Sequence, residues 1–88
     1  MSFTGEEVLP PPGKAFRRAL GLTKTEAEVA WLMGHALSIA ETSRTLGVSI
    51  HTVRAHLRQI YAKVGVRRHA QLVRLVLEQR ASPHGVKP

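Results

Sequence analysis

Residues 46–66 read LGVSIHTVRAHLRQIYAKVGV, and this stretch decides how the rest of the chain is read. Gly47 and Val48 make a tight turn, Ser49 stands where a helix N-cap belongs, and about four helical turns then run unbroken to Gly65. Within that helix Val53, Leu57, Ile60 and Val64 recur at helical spacing and line one buried stripe. The opposite face carries His51, Arg54, Ala55, Arg58 and Ala62. Two arginines among small side chains, on the exposed side of a helix entered by a sharp turn, can reach base edges in a DNA groove.

Working back toward the N-terminus, Ser38 with Glu41 three residues on forms a capping box, so a short helix is expected to end at Leu46–Gly47. Ser43, Gly47 and Val53 then have helix-turn-helix spacing: a small residue lets two helices approach, a glycine turns the chain and an aliphatic residue anchors the second helix. Thr23 and Glu26 form an earlier capping box, with Glu28 adding favourable charge to the same turn, and Val29, Ala30, Leu32, Met33 and Ala36 supply an apolar face. The spacing predicts a helix over residues 24–34. Trp31 falls off the centre of its stripe, either as a half-buried residue covering the rim of the core or as a contact to the N-terminal arm or another domain.

Residues 1–21 are expected to be a flexible arm or interdomain linker, because Pro10, Pro11 and Pro12 favour an extended spacer. KAFRRAL at residues 14–20 could form a short helical turn with Phe16 and Leu20 on one side, but a basic arm is the preferred reading. After Gly65 a fourth helix is expected over residues 69–79, with Leu72, Val73, Val76 and Leu77 facing the core and Leu75 turned outward. Residues 81–88 are expected to be a disordered tail. The fold expected is therefore all-α, a compact four-helix domain at residues 22–80 behind a proline-containing arm.

With 88 residues and 43% hydrophobic composition there is room for one modest core. The charge is concentrated. Residues 42–77 hold no acid but contain Arg44, Arg54, Arg58, Lys63, Arg67, Arg68 and Arg74, which match the whole net charge of +7. Clustering of this kind suits a polyanion partner better than a basic face kept for solubility. No apolar run approaches the roughly 18 residues of a membrane span, and the absence of cysteine excludes a disulfide framework. The simplest expectation is a cytoplasmic protein with no membrane partner.

Catalysis is the first rival reading. His35, His51, His56, His69 and His84 have no cysteine or aspartate to work with, and His51 and His56 stand about 140° apart around a helix, too far to share a metal. No enzyme activity, cofactor, metal or small-molecule ligand is expected. The second rival is a helix-turn-helix module that binds protein and not DNA, since fold alone does not fix function.

The chain resembles the LuxR-type DNA-binding domain, the four-helix module also found on NarL- and FixJ-like response regulators. The resemblance spans residues 22–77. It rests on Leu22, Thr23, Glu26, Glu28 and Val29; on Ser38 and Glu41; on Leu46-Gly47-Val48-Ser49; on Thr52-Val53-Arg54, His56, Leu57 and Ile60; and on Lys63-Val64-Gly65-Val66 with Arg68. Thr25, Thr42-Ser43 and Ile50 depart from the usual arginine, isoleucine-alanine and polar residue, and Thr42 could bond back to a carbonyl one turn earlier.

The resemblance implies a bacterial transcriptional regulator that reads double-stranded DNA with its recognition helix, about residues 50–64, in the major groove. It assigns base contacts to Arg54, Ala55 and Arg58, and backbone contacts to His51, Thr52, His56, Lys63 and Arg68, while the amides near Ser49 can face a phosphate. It also implies a homodimer through the fourth helix, for which Gln71, Leu75, Glu78 and Gln79 are the expected interface, and RNA polymerase as a further partner. Such a domain can follow a receiver or ligand-sensing domain, or serve a free-standing regulator with a short arm.

Overall fold

A computed structural model describes residues 12–81, with the side chains of 80 and 81 left out; the prolines and acids of residues 1–11 and the tail at 82–88 lie outside the described residues. Among the described residues five helices follow in order: α1 (Lys14–Leu20), α2 (Lys24–Gly34), α3 (Ile39–Leu46), α4 (Ile50–Val64) and α5 (His69–Ala81). No strand occurs among the described residues, and no helix there is long and apolar enough to cross a membrane. The all-α reading stands, with one helix more than expected.

The additional helix corrects the arm reading of residues 14–21. KAFRRAL forms α1, and Phe16 and Leu20, four apart on one side, are buried in the core. Gly21 closes it in the left-handed region at φ 67°, where a residue with a Cβ would be strained. Phe16 meets Trp31 edge-on, with ring centroids 5.0 Å apart and planes at 79°, a favoured aromatic geometry. Trp31 is thus both half-buried and in contact with the segment before α2. It also meets the ring of His35, whose Nδ1 donates to the Trp31 carbonyl at 2.7 Å.

Helix α2 is the central element, packed against each of the other four. Its start is the expected capping box: the Thr23 hydroxyl accepts from the Glu26 amide at 3.2 Å, and the Glu26 carboxylate accepts from the Thr23 amide at 3.0 Å. Ala27, Val29, Ala30, Leu32 and Met33 are buried. At its other end Gly34 lies so close to Val76 of α5 that a Cβ would collide with that side chain. The turn beyond places Ala36 at φ 71°, with Leu37 N–H donating to the Leu32 carbonyl at 3.2 Å, a Schellman closure made with alanine where glycine would be unstrained.

Two core details differ from expectation. Thr42, wholly buried, does not bond back along α3; its hydroxyl reaches Met33 Sδ on α2 at 3.4 Å, while Ser43 makes the back-bond, to the Ala40 carbonyl at 2.8 Å. On α5 the buried line runs through Leu72, Val76 and the half-buried Leu75, and Leu77 is 43% exposed. The helix is rotated from the expected stripe because it packs against α1 as well as α2, and a four-helix reading offers no α1 to cover.

Candidate nucleic-acid interface

The two helices that present the basic face are joined by the expected turn. The capping box of α3 is complete, with the Ser38 hydroxyl accepting from the Glu41 amide at 3.0 Å and the Glu41 carboxylate accepting from the Ser38 amide at 2.8 Å. Those bonds hold the Glu41 carboxyl below its ordinary range. Gly47 at φ 70° then turns the chain, and Val48 N–H donates to the Ser43 carbonyl at 3.0 Å. The Ser49 hydroxyl caps α4 by accepting from the Thr52 amide at 3.1 Å, and the two hydroxyls lie 3.0 Å apart. Ser49 and Thr52 therefore order the entrance to α4, a task their assignment as phosphate contacts leaves out.

Helix α4 buries Val53, Leu57 and Ile60 and exposes His51, Arg54, Ala55, Arg58, Gln59 and Ala62. The division follows from helical spacing: Arg54 and Arg58 are one turn apart on the face opposite the buried stripe, so both guanidinium groups point away from the core. Neither is in an ion pair among the described residues. His56 and Thr52 are half-buried at the flanks. Gln59, passed over in the sequence, stands exposed one turn beyond Ala55; its step of four from Ala55 was the signal. Val48 and Ile50, 36% and 40% exposed, add an apolar rim at the start of the helix.

Lys63 is engaged within the fold. Its ammonium donates to Glu26 Oε1 at 2.7 Å and ties the end of α4 to the first turn of α2. Burial alone would push the Glu26 carboxyl up, but the hydrogen bonds from Lys63 and from the Thr23 amide outweigh it and hold the carboxyl below its ordinary range. Arg67 and Arg68 remain exposed in the loop to α5, where their amides donate to Gln71 Oε1 at 2.8 and 3.0 Å.

The family model "Bacterial regulatory proteins, luxR family" matches residues 20–76. The chain belongs to the LuxR family. Its curated relatives include mycobacterial proteins provisionally named HTH-type transcriptional regulators, Mb0914c of Mycobacterium bovis and MT0914 and Rv0890c of Mycobacterium tuberculosis. Each is 42% identical over 52 residues, covering 59% of this chain and 6% of the relative, so this LuxR-family domain spans a small part of their length. No solved structure matches the chain.

Helical spacing puts the residues expected at a dimer interface, Gln71, Leu75, Glu78 and Gln79, along one side of α5. Gln71 caps α5, Gln79 is half-buried, Leu75 packs on the core and Glu78 pairs with Arg74 at 3.4 Å. On another side of α5 this LuxR-family domain presents an apolar line of Ala70, Val73 and Leu77, flanked by His69, Arg74 and Glu78 around a shallow apolar surface. No group of three or more histidines or acids placed to hold a metal occurs among the described residues.

Proposed function

We propose that this domain binds double-stranded DNA sequence-specifically, as the effector module of a bacterial transcriptional regulator, with α4 in the major groove. One observation carries the reading: Arg54 and Arg58 stand exposed and without an ion-pair partner among the described residues, on a helix whose other face is locked into the core. Each guanidinium can donate two hydrogen bonds to a guanine edge. Ala55 offers a methyl to thymine, and Gln59 an amide of the kind that pairs with adenine. His51, His56, Arg67 and Arg68 flank this face and meet phosphates, and Lys63 beside them also holds Glu26.

Few base-reading groups on one α4 suit a paired site read by two copies, joined through Ala70, Val73 and Leu77 of α5. The provisional names of the mycobacterial relatives support the regulatory role. The test is a fluorescence titration of the protein with labelled duplex at several salt concentrations. Contacts to about five phosphates give a log–log slope near −4 to −5. A chain that shows no salt-dependent binding even at low salt does not have this function.

A further inference from the structure

Helix α1 places a second set of cations on the surface, remote in sequence from the recognition helix. Phe16 and Leu20 turn inward, and Lys14, Arg17 and Arg18 are exposed on the outer side. Lys14 and Arg17 share a recess of about 290 Å³ with Lys24, the first residue of α2. None of these four cations is in an ion pair among the described residues, and Glu28 is the one carboxylate lining the recess. Lys24 also sits at the positive end of the α2 dipole, where a cation is unfavourable, so it is poorly explained as a stabilising residue.

Resting on the DNA-binding reading above, we infer that Lys14, Arg17, Arg18 and Lys24 form an accessory phosphate-contact surface, which takes the DNA backbone flanking the groove that α4 reads. The first turn of α2 connects the two regions: Glu26 holds Lys63 from the end of α4, and Lys24 in the same turn borders α1. A backbone leaving the recognition helix beside Arg67 and Arg68 passes that turn, where Lys63 neutralises Glu26, to reach α1. The patch favours nucleic acid over an acidic protein because its outward residues are lysine, arginine and alanine, with no aromatic or aliphatic anchor. Phosphate contacts need none.

The experiment compares wild type with the triple variant Lys14→Gln, Arg17→Gln, Arg18→Gln on a labelled duplex of about 30 base pairs, roughly three helical turns. All three residues are exposed, and a circular-dichroism melt checks that the variant folds as wild type does. Each lost phosphate contact reduces the slope by about 0.9, so the triple variant is expected about 2–3 shallower and Arg17→Gln alone about one shallower. Equal slopes for wild type and the triple variant would overturn the inference while leaving DNA binding intact. A wild-type chain that binds no duplex overturns both readings.

Discussion

Gly34 has no room for a side chain, since an added Cβ would meet the methyl groups of Val76 at the crossing of α2 and α5. Gly34→Ala is expected to destabilise the domain by about 1–3 kcal/mol through overpacking, read as a lower midpoint in urea unfolding. Glu26 makes a different kind of residue-scale demand. Its folded carboxyl titrates below the ordinary glutamate range, so its stabilisation is complete above the unfolded value and is lost as pH falls through the folded one. Melting curves from about pH 6 down to pH 3 should fall more steeply for wild type than for Glu26→Gln. At neutral pH the variant should be weaker by about 1 kcal/mol, a modest figure because the Lys63 side chain is 38% exposed and partly screened. Parallel pH curves would show that the ion pair contributes nothing.

At the scale of elements, α2 to α4 were legible because capping boxes and glycines mark their ends and apolar spacing marks their faces. Thr23–Glu26, Ser38–Glu41, Gly47 and Gly65 all stand where those signals placed them. Helix α1 was legible only as a possibility: KAFRRAL has two apolar anchors, too few to hold a helix without the Trp31 surface they pack on, and that surface is a tertiary fact. The rotation of α5 was hidden for the same reason, since Leu72, Val73, Leu75, Val76 and Leu77 fit more than one stripe until α1 occupies one side. The consequence is practical. Leu75→Arg would strike the core, whereas Leu77→Arg leaves the fold within about 0.5 kcal/mol of wild type. If α5 joins two copies, Leu77→Arg should abolish cooperative binding to a duplex carrying two half-sites while sparing binding to one; unchanged cooperativity would remove α5 from the interface.

For the molecule as a whole, the arrangement of charge matters more than its total. Of the four glutamates among the described residues, Glu26 is held by Lys63, Glu41 by its own capping box and Glu78 by Arg74, so little acid competes with the cations around α4. The acid-free run of residues 42–77 made this basic surface visible in the sequence. What the run could not show was which cations are already engaged, and Lys63, 37 positions from Glu26, is the case that spacing could not reveal. The face that remains exposes Arg54 and Arg58, neither in an ion pair among the described residues.

Selection of bound sequences from a random duplex pool, carried out in parallel with wild type, Arg54→Ala and Arg58→Ala, tests that arrangement most directly. Wild type should enrich one motif, and each variant should keep the motif but lose its preference at a single, different base pair, a discrimination worth about 1–3 kcal/mol. Retention of every base preference by both variants, or no enrichment by the wild-type chain, would contradict α4 as the element that reads DNA.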